Sequence, residues 1–207
     1  MVSMSAPFLL VGNRLSLDFI NTEVISEGER RDMIQSSGDL ARWALEAGAC
    51  ESTEKFRSGT KDQLAKVRAL RGALRQIFEA WTEGSAPRRS ALRILNEQLK
   101  KPVEGLGLRI ENGVFAREGV KLVDIDHVLR RVAEDAAQLI TSEERERIRC
   151  CAHQGCILMF VDRSRRGARR WCSMSLCGNR AKVAAHLRRS RPEKFNQGGV
   201  AGSARRI

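Results

Sequence analysis

Three observations predict an α+β protein with a mainly helical amino-terminal domain, a small antiparallel sheet and a small cysteine-rich module at the carboxyl end. Leu64, Val67, Leu70, Leu74, Ile77, Phe78 and Trp81 recur at three- and four-residue steps, as do Ile125, Val128, Leu129, Val132, Ala136, Leu139 and Ile140. Both runs describe amphipathic helices that bury one face. Asn112-Gly113 stands between the apolar runs Leu106–Ile110 and Val114–Arg117, the strongest short signal for a β-hairpin. Finally, five of the six cysteines fall between positions 150 and 177.

In chain order, Leu15, Leu17 and Phe19 alternate with polar residues and predict a first strand. Residues 26–38 read as a loop, after which Asp39 is placed to cap a helix burying Leu40, Trp43, Ala44 and Ala47, with Gly48 as its stop. Thr60-Lys-Asp-Gln63 has the form of a capping box for the long helix that ends at Gly84. A further helix near 88–100 presents Leu92, Leu95 and Leu99 and stops before Pro102. Thr141-Ser-Glu-Glu144 is a second capping-box candidate, opening a short charged helix, Glu143–Arg149. These spans divide the chain into a helical domain over 1–141, a metal-binding module over 142–190 and a basic flexible tail over 191–207.

The formal charge of +12 is unevenly placed. Residues 1–140 hold 21 Lys/Arg against 20 Asp/Glu, whereas residues 141–207 hold 16 against 5. The last third therefore carries nearly all the excess, a pattern that attracts polyanions such as nucleic acid. Tyrosine is absent and aromatics are sparse, which argues against a broad base-stacking platform. No apolar run approaches the ~20 residues of a membrane span. The Pro7–Val11 run is too short for a signal peptide. The expectation is a cytoplasmic protein, and paired cysteines there favour metal over disulfides.

Cys151-x4-Cys156 and Cys172-x4-Cys177 repeat one internal spacing on either side of a basic insert. Zinc in structural sites takes four tetrahedral ligands and favours sulfur, and the loop between paired cysteines aims backbone amides at the thiolates. The assignment is one structural Zn²⁺ held by Cys151, Cys156, Cys172 and Cys177. His153 is the nearest substitute ligand, and a reduced cluster without metal is the plain alternative. Cys150 is an extra thiol beside the first ligand. Between the pairs, Ile157–Val161 and Arg169–Trp171 are expected to form a hairpin with Phe160 and Trp171 as its miniature core. Gly178 then allows close approach to the sulfur, and Asn179 caps the helix Arg180–Arg189. This order gives a treble-clef-like finger, whose small core makes metal binding a main source of its folding free energy.

Arg170-Trp-Cys-Ser-Met-Ser-Leu-Cys-Gly-Asn-Arg180, preceded by Cys151-x4-Cys156 and Phe160-Val-Asp-Arg163, closely resembles the CGNR zinc-finger family, named for the signature present here as Cys177-Gly178-Asn179-Arg180. Gly12-Asn-Arg-Leu-Ser-Leu-Asp-Phe-Ile-Asn-Thr22 resembles the opening of the ABATE domain that precedes such fingers. The resemblance reaches to about residue 190. It implies a bacterial, zinc-binding, stress-related transcription regulator.

The functional expectation is a regulator that binds nucleic acid, double-stranded DNA by the family resemblance. Arg163, Arg165, Arg166, Arg169 and Arg170 would contact it from the hairpin, and Arg180, Lys182, Arg188 and Arg189 from the helix. Asn179 fits a structural role better than base reading. The amino-terminal domain would sense a ligand or form a homodimer. Two other classes compete: a zinc-stabilised protein-interaction module, and a redox or zinc sensor using Cys150. Four thiolates leave no open coordination position, and His127 and His186 lack a nucleophile pattern, so enzymatic activity is not expected.

Overall fold

In the computed structural model, residues 7–50, 53, 56, 61–101, 107–118 and 124–190 are described. Five helices build the amino-terminal part. They are α1 (Leu15–Ile20), α2 (Ser37–Glu46), α3 (Lys61–Thr82), α4 (Arg89–Leu99) and α5 (Ile125–Thr141). The two long amphipathic runs form α3 and α5 as expected, burying Val67, Leu70, Leu74, Ile77 and Phe78 against Val128, Leu129, Val132, Ala136 and Leu139. Asp124 caps α5 by accepting from the His127 amide at 2.8 Å. Trp43 of α2 packs on Phe19 of α1, ring centroids 5.3 Å apart, both fully buried. Leu95 on α4 is buried, but Leu92 is 37% exposed and lies towards solvent.

The strands form three separate antiparallel pairs among the described residues. β1 (Glu23–Ser26) pairs with β2 (Glu29–Asp32), and β3 (Gly107–Glu111) pairs with β4 (Val114–Glu118) through the expected Asn112-Gly113 turn. Both turn residues have positive φ, 53° and 79°. After a short 3₁₀ turn over Glu143–Arg147, β5 (Ile148–Cys150) pairs with β6 (Met159–Val161).

Several local expectations are corrected. Residues 15–20 form a helix, not a strand: Ser16, Leu17, Phe19 and Ile20 are all buried, so the alternation of three apolar residues reflected a short helix enclosed on several sides. The expected 26–38 loop contains the turn and second strand of the β1–β2 hairpin, the turn using Glu27 and Gly28 at φ 55° and 86°. Its second strand, Glu-Arg-Arg-Asp, is largely exposed and charged, so no apolar alternation announced it. Ser36, not Asp39, caps α2, with Asp39 completing a reciprocal capping box. Thr141 makes no such box: it is the last residue of α5 and its hydroxyl donates back to the Ala137 carbonyl at 2.9 Å. Thr60, Pro102 and the 191–207 tail lie outside the described residues.

The last third is fastened to the first. Val161 donates to the Gly12 carbonyl at 2.9 Å, and the Asn13 amide group donates to the Val161 carbonyl at 2.9 Å. Asn21 both donates to the Met159 carbonyl and accepts from the Met159 amide, each at 2.9 Å. The Gly12–Thr22 segment thus covers the edge of β6 that β5 leaves open. Gly12 is needed for this closeness, because a Cβ there would lie 2.7 Å from Leu17 Cβ and 3.0 Å from Asp18 Oδ1. Asp18 accepts from the Gly12 amide at 2.7 Å. Arg14 holds Asp135 of α5 at 3.0 Å and Glu144 at 2.8 Å.

Candidate metal centre

The first cysteine pair sits on the tip of the β5–β6 hairpin, where Cys151 donates its amide to the Leu158 carbonyl at 2.9 Å. This hairpin replaces the one expected between the pairs: β6 turns back onto the chain before the knuckle rather than onto Arg169–Trp171. Residues 162–171 form a loop pinned by buried Asp162, which accepts from the Ser164 and Arg169 amides at 2.8 Å each. The second pair follows. Cys172 precedes a single π-helical turn over Met174–Gly178 that contains Cys177 and runs directly into α6 (Asn179–Ser190). Ser173, not Asn179, begins this turn by accepting from the Leu176 amide at 3.3 Å. Gly178 lies close to the Met174 side chain rather than to a cysteine sulfur: a Cβ there would meet Met174 Sδ at 2.7 Å and Trp171 Cδ1 at 3.4 Å.

The four sulfurs of Cys151, Cys156, Cys172 and Cys177 all lie within 4.8 Å of one another. Cys156 to Cys172 is 3.9 Å and Cys172 to Cys177 is 3.6 Å. A tetrahedron with metal–sulfur bonds of ~2.3 Å has sulfur–sulfur edges of roughly 3.8 Å, so the donor set fits zinc in size and chemistry. All six cysteines are free of disulfides. The Cys172 amide points at Cys151 Sγ from 3.4 Å, as a thiolate requires. Hydrogen bonds from Cys156 and Cys172 hold Cys151 well below the usual thiol range. The same bond to Cys151 pushes Cys156 up to about 12. Bonding to Cys151 and Cys156 also raises Cys172, and burial raises Cys177. His153 stays outside the cluster.

Cys150 is excluded by strand geometry. Successive strand residues face opposite ways, so while Cys151 turns to the cluster, Cys150 turns to α3 and lies 3.6 Å from the Thr82 hydroxyl. Burial of its sulfur pushes that thiol up. A small apolar layer closes the centre: Leu158 and Phe160 from the finger, with Leu9, Val11 and Val24 from the amino-terminal segment and half-buried Trp171 beside them.

The nine cations expected to meet nucleic acid divide into two kinds. Arg169 turns inward. Its guanidinium stacks 4.1 Å from the Phe160 ring centroid and donates to the carbonyls of Trp171, Val11 and Cys172. It braces the centre and is committed to these carbonyls rather than to a surface ligand. Arg163 is exposed but pairs with Glu144 at 3.3 Å. Arg170 is exposed beside the Trp171 ring. Arg165, Arg166, Arg180, Lys182, Arg188 and Arg189 are exposed and make no hydrogen bond or ion pair among the described residues. Between Arg163 and Ser190 the sequence contains no acidic residue. α6 buries none of its residues and packs on the turn that precedes it.

Sequence reasoning missed two supporting side chains. Arg75 of α3, only 5% exposed, donates to the Ile157 carbonyl, next to Cys156, and to the Ile20 carbonyl, each at 2.8 Å. Its neighbour Arg71 donates to Asp32 and Thr22. The signal available was two arginines one turn apart on the buried side of an amphipathic helix.

Among the described residues no helix is long and apolar enough to cross a membrane. No curated protein matches the chain. The CGNR zinc-finger family model matches residues 147–190. The ABATE family model, described as "Putative stress-induced transcription regulator", matches residues 13–143. That match spans more than half of the chain, which therefore belongs to the ABATE family and carries a CGNR zinc finger after it.

Proposed function

We propose that the four-cysteine cluster holds one structural zinc ion and that the finger binds double-stranded DNA as part of a transcription regulator. The observation that carries the reading is the surface of residues 163–190: six exposed cations without a hydrogen bond or ion pair among the described residues, no acidic residue, and a helix that buries none of its residues. A 12-residue helix alone in water is marginal. Zinc fixes the turn from which α6 springs, and a phosphate backbone offers the charge that its cations match. Lys182, Arg188 and Arg189, with Arg165 and Arg166 on the loop, hold the phosphates. Arg180, at the first turn of α6, is the residue best placed to reach a base edge.

The test is selection of bound fragments from random duplex DNA by zinc-loaded protein, followed by mobility shift between about 50 and 300 mM salt. An enriched motif whose affinity falls steeply with salt is the expected result. Absence of binding at low salt would sink the DNA reading and leave a zinc-stabilised module for an acidic protein partner.

A further inference from the structure

We infer that metal retention by the finger and folding of the amino-terminal domain form one linked equilibrium, with Asn21 and Arg75 as the positioning residues that join them. This rests on the zinc reading above. An autonomous finger would carry its whole outer shell within its own few dozen residues. Here that shell comes from far along the chain.

Strand β6 leaves the first knuckle directly, three residues after Cys156. One of its edges is held by β5 and the other by Gly12, Asn13 and Asn21. Asn21, itself 1% exposed, treats Met159 as a paired strand residue would. Arg75 clamps the Ile157 carbonyl and the last carbonyl of α1 with one guanidinium. Arg169 ties the second pair to the same segment, through Cys172 on one side and Val11 on the other. Met159 and Val161 belong to the main core, while Val11 and Val24 belong to the cluster around the cysteines. Each domain therefore completes the other's interior.

Metal ligands keep their geometry only while the groups behind them hold still. A ligand that binds only the folded chain stabilises everything folded with its site, and the coupling acts equally in both directions. Zinc loss thus loosens α1 and the middle of α3, and any compound that shifts those helices changes how tightly the finger holds zinc.

The experiment uses full-length zinc-loaded protein and amide hydrogen exchange with and without a chelator. Protection at residues 15–22 and 71–78 is expected to fall together with that at 148–161 when zinc leaves. Unchanged protection in the first two segments overturns the inference. In parallel, chelator competition gives zinc affinity for Asn21→Ala and for the milder Arg75→Lys. Neither residue touches a sulfur, yet each is expected to weaken zinc binding about 10–100-fold, the usual size of an outer-shell loss. Arg93→Ala, an exposed position on α4, is expected to leave zinc affinity unchanged. Asn21→Ala with wild-type affinity, or Arg93→Ala weakened equally, overturns the inference. A wild-type chain without stoichiometric zinc would overturn the zinc reading itself, and this inference with it.

Discussion

The two halves of the finger are built for opposite purposes. The first half, from β5 through the knuckle to β6, holds β6 on both edges and contributes Ile148, Met159 and Val161 to the main core. The second half, from Cys172 through α6, has buried cysteines at its root and then an exposed helix, with Val183 58% and Leu187 61% exposed. The contrast teaches that the cysteine cluster joins a packed base to an exposed arm. Stability should depend on the base, and binding on the arm.

The largest effect that would break this division is loss of a ligand from the cluster. Cys172→Ser removes the fully buried sulfur that neighbours both Cys156 and Cys177. Structural zinc contributes on the order of 10 kcal/mol to small metal-dependent folds. The expected outcome is loss of stoichiometric zinc, read by metal analysis, together with loss of salt-sensitive DNA binding. Retained zinc would mean that another group, such as His153, completes the site.

Next comes the base. Arg75→Met leaves the Ile20 and Ile157 carbonyls and Glu23 without their buried partner. The expected cost is about 3–5 kcal/mol in urea unfolding. A cost below ~1 kcal/mol would show that the base is not held there.

A smaller effect tests the joint through pH. Burial raises Asp18 to about 6, with nearby Asp135 adding to the shift. The folded chain therefore prefers the protonated acid. That contribution is fully present below the unfolded value near 3.8 and is lost as pH rises through about 6. Asp18→Asn keeps an acceptor for the Gly12 amide and removes the buried charge. It is expected to stabilise the protein by about 1–3 kcal/mol at about pH 8. The gain should shrink as pH is lowered towards about 5. A pH-independent gain would assign the effect to something other than this carboxyl.

The smallest stability effect belongs to the arm. Arg188→Ala with Arg189→Ala should change unfolding free energy by less than ~0.5 kcal/mol. Together they should weaken DNA binding and lower the slope of log affinity against log salt by roughly 2. A large stability loss would show that α6 packs on the base after all.

How much of this was legible depended on distance along the chain. The long helices announced themselves because each carries its own periodic face, and the four clustered cysteines because their pairing needs only local spacing. Asn112-Gly113 sufficed for its hairpin for the same reason. What escaped was whatever needs a distant partner. Asn21 is an ordinary polar residue until Met159, 138 positions away, is laid against it. Leu15, Leu17 and Phe19 suggested a strand because three residues cannot separate alternation from burial all round. Arg169 looked like its basic neighbours, and only the Phe160 ring and three carbonyls reveal it as interior. The finger's hairpin was placed one partner too late because β5, three residues long, has no signal of its own.

The pairing of Ile148 with Val161 carries a consequence for how the right sulfur is selected. Cys150 and Cys151 carry the same side chain, and a slip of one residue between β5 and β6 would exchange their places. Such a slip would also turn Ile148, now 2% exposed, out of the core and bring Arg149 towards it. The register that buries Ile148 is thus the same one that sets Cys151, and not Cys150, among the four clustered sulfurs. Burial of an oily side chain and the composition of the sulfur cluster are one choice.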